Sequence, residues 1–291
     1  MFTGTYTAIV TPFKNGQVDE TAFRNLIEFQ IDNGVAGIVP TGTTGEAATL
    51  DFDEHLNVIK IAVEEARGRC KIIAGTGSNS TQEAVELTQK AEQLGVDGVL
   101  LASPYYNKPT QEGVYRHYKK IAESTSLKLM LYNVPSRTAG EIGLETCARL
   151  ARDCANIVSI KEAGGSAERV AALKKILPPE FTILSGDDGL TLPFMAVGAV
   201  GVVSVASNVI PRQIADMVNA FLAGRAADAL RIHLCYFQLF KDLFIESNPI
   251  PVKTALYLMG MIENEFRLPL CEMGKTNQSK LHETVAALKL V

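Results

Sequence analysis

The chain has 291 residues, of which 47% are hydrophobic, and its 28 Lys and Arg against 32 Asp and Glu give a net charge of −4. This balance argues against a nucleic-acid-binding protein, which needs an excess of positive charge. The length is compatible with one large domain or two small ones, and α/β barrels often reach this size as one domain.

The cysteines and the hydrophobic stretches predict a cytoplasmic protein without a membrane partner. The number of cysteines, five, is odd, and no two of them have CxxC spacing. This is typical of reduced thiols in the cytosol rather than of a disulfide framework. The N-terminus lacks the basic region of a signal peptide. Residues 189–211 carry no charge, but Pro193, Gly198 and Gly201 interrupt them, so we do not interpret them as a membrane span.

Eight short runs rich in β-branched or apolar residues follow one another along the chain, at 5–13, 35–40, 71–77, 96–104, 127–135, 157–163, 181–188 and 199–207. Segments with helical periodicity separate them, for example 19–34, 53–68, 80–95 and 112–124. Many of these segments begin after Asp, Ser or Thr and end at Gly, as helix caps do. The stretch STQE predicts a capping box formed by Ser80 and Glu83.

Strands that alternate with helices predict a parallel sheet, and eight strands are the number that closes a (β/α)8 TIM barrel. The alternative is an open doubly wound sheet, but the first strand lacks the GxGxxG turn of a dinucleotide-binding fold. After residue 210 the pattern is entirely helical. We therefore predict strands and helices of the barrel core over 1–210, and the last barrel helix plus a C-terminal helical extension over 211–291.

In such a barrel the active site forms at the carboxyl ends of the strands. The strand at 157–163 has Val158 and Ile160 on one side, which we assign to the helices, and Ser159 and Lys161 on the other, which then faces the barrel interior. The same argument turns Met130 and Tyr132 of the preceding strand inward. Neighbouring strands lie ~4.8 Å apart, so the amine of Lys161 and the phenol of Tyr132 can contact one small substrate.

An amine in a partly apolar pocket loses solvation, which favours its neutral, nucleophilic form. Neutral lysine condenses with a ketone to give a Schiff base, and the iminium acts as an electron sink without a cofactor. Tyr132 can transfer the protons. The alternative for Lys161 is a salt bridge to Glu162 or Asp187, although Glu162, as the chain neighbour, should face the opposite side of the sheet.

Three further motifs have both a functional and an ordinary interpretation. Thr43 and Thr44 of GTTGE provide an anion cradle or a simple turn with an N-cap. Arg137 captures a carboxylate or is a solvated loop residue. Tyr105 and Tyr106 are interface anchors or catalytic groups. The four histidines are isolated and the pair Asp187–Asp188 is no metal site by itself, so we predict no metal.

The motifs GTTGE, SPYYN, YNVPSRT, IKEA and LSGDD, in this order and spacing over essentially the whole chain, resemble the 4-hydroxy-tetrahydrodipicolinate synthase family, formerly dihydrodipicolinate synthase. This family belongs to the pyruvate-dependent Schiff-base aldolases and lyases built on a (β/α)8 barrel. The resemblance implies condensation of pyruvate with L-aspartate 4-semialdehyde by a cytoplasmic homotetramer, a dimer of dimers that uses no cofactor. It places the chain in lysine and diaminopimelate biosynthesis.

The resemblance also implies roles for individual residues. Lys161 matches the Schiff-base lysine, and Tyr132 matches the proton donor and acceptor. Arg137 matches the arginine that holds the carboxylate of the semialdehyde. The proton relay is completed by Thr43 and Tyr106, the latter from a neighbouring subunit, and the pyruvate site by Thr44, Gly186 and Val203.

Two alternatives are weaker. N-acetylneuraminate lyases and 2-keto-3-deoxy sugar acid aldolases share the lysine and the tyrosine, but they generally lack the Ser-Arg-Thr after the YN-V/I-P stretch and favour GSTGE over GTTGE. A non-catalytic barrel that senses a keto acid would not need the complete Lys–Tyr–Thr set.

The resemblance further implies L-lysine feedback at a dimer interface. The matching positions are Ala47, Ala48, Phe52, His55, Asn79, Glu83 and Tyr105. Phe52 departs from the histidine often found there, and the glycine after KEA departs from the usual threonine.

Overall fold

The computed structural model describes residues 1–291 and contains a closed barrel of eight parallel strands. The strands of the chain are β1 (Gly4–Ala8), β2 (Phe13–Lys14), β3 (Gln17–Val18), β4 (Gly37–Val39), β5 (Lys71–Gly75), β6 (Gly98–Ala102), β7 (Lys128–Asn133), β8 (Ile157–Glu162), β9 (Thr182–Ser185) and β10 (Gly201–Ser204). The order around the barrel is β1-β10-β9-β8-β7-β6-β5-β4, while β2 and β3 form a separate hairpin. Each predicted run overlaps one barrel strand, so the (β/α)8 fold is confirmed; the hairpin was not predicted.

The helices are α1 (Glu20–Asp32), α2 (Phe52–Ala66), α3 (Thr81–Leu94), α4 (Gln111–Ala122), α5 (Pro135–Thr138), α6 (Leu144–Asp153), α7 (Ala167–Ile176), α8 (Thr191–Ala196), α9 (Pro211–Leu222), α10 (Ala226–Asp242), α11 (Ile250–Leu258) and α12 (Lys275–Ala287). Short 3-10 turns occupy Ala47–Thr49 and Ala206–Asn208. None of the helices combines the length and the apolar character needed to cross a bilayer.

The capping box predicted for α3 forms only in part. The side chain of Ser80 accepts from the N–H of Glu83, but the Glu83 carboxylate accepts from the hydroxyl of Ser78 instead of returning to the Ser80 backbone. Ser78 meanwhile accepts from the N–H of Ser80 and so takes the place of Glu83 in the box. A complete capping box begins α2, between Asp51 and Glu54.

Two hydrophobic clusters follow from the alternation of the strands. The larger cluster, of 62 buried residues, joins the outer faces of the strands to the helices. The smaller cluster, of 11 residues, fills the barrel interior and includes Met130, Tyr132 and Val203. The interior is therefore packed below the polar carboxyl ends of the strands, and a substrate can enter only from that end.

One facing assignment in β8 was wrong. Val158 packs against the interior cluster rather than the helices, because the pairing of β7 with β8 skips it: Leu129 is opposite Ile157, and Met130 is opposite Ser159. The skipped residue lies before Ser159, so the alternation of inward and outward side chains is regular again from Ser159 to Lys161. Ile160 lies in the outer cluster, and Lys161 faces inward opposite Tyr132, as predicted.

The C-terminal helices pack on one another and on the carboxyl end of the barrel. The last barrel helix, α9, begins at Pro211 and packs against α10, and α12 packs against both α10 and α11. The fold class with a helical extension is therefore as predicted. The division of the chain into units at residue 210 stays a prediction.

Candidate active site

A cavity of about 220 Å³ opens at the carboxyl end of the barrel. Sites for drug-sized ligands measure ~300–1,000 Å³, so this cavity suits a ligand of few atoms. Six of the predicted site residues line it, namely Thr43, Thr44, Tyr132, Arg137, Lys161 and Gly186. The other lining residues come from seven of the eight barrel strands and the loops that follow them, and from the C-terminal extension, which contributes Phe244 and Asn248.

Lys161 and Tyr132 lie side by side at the floor of the cavity. They are register partners on β8 and β7, and the Nζ of Lys161 lies 4.2 Å from the centroid of the Tyr132 ring. Lys161 is 5% exposed and has no carboxylate within 4.0 Å, so the predicted alternative of a salt bridge to Glu162 or Asp187 is wrong. A buried amine without an ionic partner can form a Schiff base with a keto acid, and the phenol beside it can transfer protons.

Gly186, directly after β9, makes room for the lysine. A Cβ at this position would lie 2.9 Å from the Cε of Lys161, 3.1 Å from its Cγ and 2.8 Å from the Cβ of Ala163. These distances are below normal contact, so any side chain here would displace the Lys161 stem. Gly186 therefore sets the position of the amine by packing.

A hydrogen-bonded network braces the opposite face of the same two strands. Glu162 is fully buried, and its carboxylate accepts from Asn133 Nδ2 at 2.8 Å, Arg169 Nε at 2.9 Å and the N–H of Gly164 at 2.7 Å. Asn133 in turn accepts from the N–H of Ile142. Because Asn133 and Glu162 follow Tyr132 and Lys161 directly, this network holds the ends of β7 and β8 in register behind these two residues.

Two residues of the GTTGE loop, Thr43 and Thr44, line the cavity. The backbone N–H groups of Thr43 and Thr44 donate to no other protein atom, whereas the N–H groups of Gly45, Glu46 and Ala47 are used within the turn. This geometry is consistent with the predicted anion cradle. The Thr44 hydroxyl accepts from Asn248 Nδ2 at 3.0 Å.

Arg137 lies on one helical turn, α5, instead of the open loop that we expected. Pro135 starts this turn, where its fixed φ angle is favourable. The guanidinium lines the cavity, and Nη2 donates to the backbone carbonyl of Asn248 at 3.1 Å, which leaves its other N–H groups available for a carboxylate.

Asn248 was missed by the sequence analysis. It is 6% exposed, contacts both Thr44 and Arg137, and its Oδ1 atom has no hydrogen-bond partner. The only local signal is the Asn-Pro dipeptide, which indicates a turn and says nothing about contacts with Arg137 and Thr44, 111 and 204 residues away. Only the packing of the extension onto the barrel brings it there.

Two predicted residues lie outside the cavity. Val203 is fully buried in the interior cluster below it, and the neighbouring Val205 lines the cavity instead. Tyr106 is 91% exposed and adopts a positive φ of 70°. The single chain therefore does not bring Tyr106 to Lys161.

The positions assigned to lysine binding lie on the segments that follow β4, β5 and β6. Asn79 donates to the carbonyl of Tyr105 at 3.2 Å, and the Glu83 carboxylate is bound by Ser78. His55 is buried, with Nε2 2.7 Å from the carbonyl oxygen of Gly75. Burial lowers the pKa of His55, against the opposing effects of that hydrogen bond and of Glu83. Of the other three positions, Ala47 is half-buried and Ala48 exposed in the 3-10 turn Ala47–Thr49, and Phe52 is exposed at the start of α2.

Comparison with known proteins gives full-length matches. The model of the dihydrodipicolinate synthetase family matches residues 1–288. A relative named 4-hydroxy-tetrahydrodipicolinate synthase, from Nitratidesulfovibrio vulgaris strain DP4, is 53% identical over 98% of both chains. The solved structure of the 4-hydroxy-tetrahydrodipicolinate synthase from Methylacidiphilum fumariolicum SolV is 54% identical, with a TM-score of 0.98 over 99% of this chain and 96% of that one.

Two similar structures were solved with small molecules. One is the chloride-inhibited dihydrodipicolinate synthase from Acinetobacter baumannii complexed with pyruvate, 43% identical, with a TM-score of 0.98 over 100% of both chains. The other is the enzyme from Cyanidioschyzon merolae with lysine bound, 42% identical, with a TM-score of 0.97 over 100% of this chain and 99% of that one.

We predict that Gly186→Ala lowers the rate at which Lys161 reacts with a keto acid by about 100-fold, because a displacement of ~1 Å at a reacting group has effects of this size. Stopped-flow measurement of imine formation tests this. Gly140→Ala is the matched control, since a Cβ there meets only the carbonyl of Thr138 at 3.9 Å. Equal rates in the two variants would contradict the packing role.

Proposed function

The chain belongs to the dihydrodipicolinate synthetase family, and from this premise we propose that it condenses pyruvate with L-aspartate 4-semialdehyde to give 4-hydroxy-tetrahydrodipicolinate. The observation that carries the proposal is the buried Lys161 without a carboxylate partner beside Tyr132. The product leads to diaminopimelate and lysine.

The first half of the reaction uses Lys161 and Tyr132. The amine of Lys161 adds to the ketone of pyruvate, and the carbinolamine loses water to become an iminium, with the neighbouring Tyr132 transferring the protons. The N–H groups of Thr43 and Thr44 are positioned to hold the pyruvate carboxylate. Loss of a methyl proton then converts the iminium into a nucleophilic enamine.

The second half joins the two substrates. The enamine carbon attacks the aldehyde, which forms the new carbon–carbon bond and an alkoxide that takes up a proton. The amino group of the former semialdehyde then attacks the iminium carbon, closes the ring and releases the amine of Lys161. The balance is one molecule of water lost, and no redox group is required.

Arg137 favours this reaction over cleavage of a sugar acid. A guanidinium binds a planar carboxylate with two parallel hydrogen bonds, and L-aspartate 4-semialdehyde carries such a group. The polyhydroxylated chain of a sugar acid needs hydroxyl-binding groups instead. The names of the curated relatives agree with the synthase rather than with the lyase.

The proposal includes a cytoplasmic homotetramer. Tyr106 is too exposed to act within one chain, so a second copy must supply the aromatic side chain of the relay. On α10, Leu230, Leu234 and Phe237 recur at helical spacing and are 49%, 64% and 42% exposed, which is typical of a surface covered by another subunit. All five cysteines are free, as in a reducing compartment.

The proposal also includes inhibition by L-lysine. The similar structure from Cyanidioschyzon merolae has lysine bound. In this chain Asn79, Glu83 and Tyr105 form a polar group that suits an amino acid, with the Glu83 carboxylate as partner for an ammonium. Phe52 offers an aromatic face where a histidine is often found.

We expect pyruvate and borohydride together to attach one reduced pyruvate to the chain, because borohydride reduces the iminium to a stable amine. Intact-protein mass spectrometry measures the adduct. Lys161→Ala should abolish it, whereas Lys60→Ala, at an exposed lysine, should leave it unchanged. An adduct that survives Lys161→Ala would contradict the assignment.

Arg137→Ala should lower kcat/KM for the semialdehyde by about 100-fold, the effect of losing a charge-assisted hydrogen bond. The amount of borohydride-trapped pyruvate should stay close to that of the unaltered protein. Arg116→Ala, which removes an exposed arginine paired with Glu112, is the control. Equal loss of trapping and turnover would remove the assigned role.

L-lysine should inhibit turnover, and Glu83→Gln should raise the inhibitory concentration at least tenfold, because it removes the charge that binds an ammonium. Gln82→Ala, next to it on α3 and hydrogen-bonded to Glu86, should have no effect. Dose–response curves in the coupled assay measure both. An unchanged curve for Glu83→Gln would place the lysine site elsewhere.

A further inference from the structure

The structure contains a second buried lysine that the proposed mechanism does not use. Lys253, on α11, and Glu46, the last residue of GTTGE, are both fully buried, and the ammonium of Lys253 donates to Oε1 of Glu46. The two residues are 207 positions apart in the chain. Neither lines the active-site cavity.

The pair is sealed from solvent on every side. The Nζ of Lys253 lies 4.4 Å from the centroid of the Phe13 ring and 4.9 Å from that of Phe266. The second carboxylate oxygen of Glu46 accepts from the N–H of Arg267 at 3.2 Å. Burial lowers the pKa of Lys253, and Glu46 opposes this by stabilising the ammonium. Paired in this way, Lys253 is not a second nucleophile.

Burial of two charges is a costly way to join two parts of a fold, since hydrophobic residues of similar size often stabilise a protein as well or better. What an ion pair adds is a single geometry, because its direction and length are set by hydrogen bonds. The position of this pair therefore indicates what it holds in place.

At one end the pair holds the GTTGE turn. Glu46 adopts the left-handed conformation, with a φ of 53°, and its N–H donates to the carbonyl of Thr43 at 3.2 Å. This conformation is unfavourable for a non-glycine residue, and surrounding contacts offset its cost. The Lys253 contact is one of these, and the guanidinium of Arg267 adds a hydrogen bond to the carbonyl of Thr49.

At the other end the pair holds the extension. Lys253 lies five residues after Asn248, whose side chain donates to Thr44 and whose carbonyl accepts from Arg137. The same segment thus contacts the turn twice, at Thr44 through Asn248 and at Glu46 through Lys253. A shift of α11 relative to the turn would break both contacts together.

We propose that Glu46 and Lys253 are positioning residues for the active site: their buried ion pair fixes the GTTGE turn against the C-terminal extension, so that Thr44 and its neighbours bind pyruvate. The proposal rests on the proposed function for the identity of the keto acid. Neither side chain touches the substrate.

The test is the double variant E46Q/K253M, which replaces both charges at similar volume and so avoids an unpaired buried charge. We expect it to fold by circular dichroism and to need about tenfold more pyruvate for half-maximal imine formation. A purely structural pair would lower the melting temperature without changing this concentration, and that result would overturn the proposal. Arg24→Met, which removes ion pairs between α1 and α2 away from the cavity, is the control for lost charges.

A second experiment tests whether the ion pair acts through the hydroxyl of Thr44. If the pair acts by placing this hydroxyl, Thr44→Val should weaken pyruvate binding in the unaltered protein but add little in E46Q/K253M. Full additivity of the two effects would overturn the proposal, since independent sites add. Failure of the unaltered protein to trap pyruvate would instead contradict the proposed function, so the two failures are distinguishable.

Discussion

The site depends on the register between β7 and β8. Parallel pairing places Tyr132 opposite Lys161, and the two-residue alternation of the strands turns both side chains into the mouth of the barrel. A shift by one residue would send the lysine into the outer hydrophobic cluster, where an unpaired ammonium is very unfavourable. The register is held by the hydrogen bonds of Asn133 and Glu162 immediately behind the pair.

The buried charged residues around the site fall into two groups: those held in ion pairs, and Lys161, which has no ionic partner. Glu162 and Glu46 are buried and fully satisfied by Arg169, Lys253 and backbone N–H groups, so they hold the scaffold and are not available to the substrate. Removal of one partner from such a pair typically costs ~3–5 kcal/mol. Lys161, by contrast, has no ionic partner. Arg169 and Lys253 are therefore held in ion pairs, whereas the amine of Lys161 is not bound to a carboxylate.

Several features followed from local pattern alone, and others did not. The eight strands and the inward position of Lys161 and Tyr132 could be predicted because hydrophobic alternation is a property of each strand by itself. The facing of Val158 could not, since the skipped residue in β8 depends on how β7 pairs with it. Asn248 could not be found either, because its Thr44 contact spans 204 residues.

The sequence by itself determined the fold class, the inward position of Lys161 and Tyr132, and the motifs that identify the family, because these depend on periodicity and on residue types over short stretches. The tertiary structure decided the rest: Gly186 as the space for the Lys161 stem, Asn248 as the link between Thr44 and Arg137, and the Glu46–Lys253 pair beneath the GTTGE turn. Each of these is a contact between distant segments, and only the closed barrel with its packed extension brings those segments within a few ångströms.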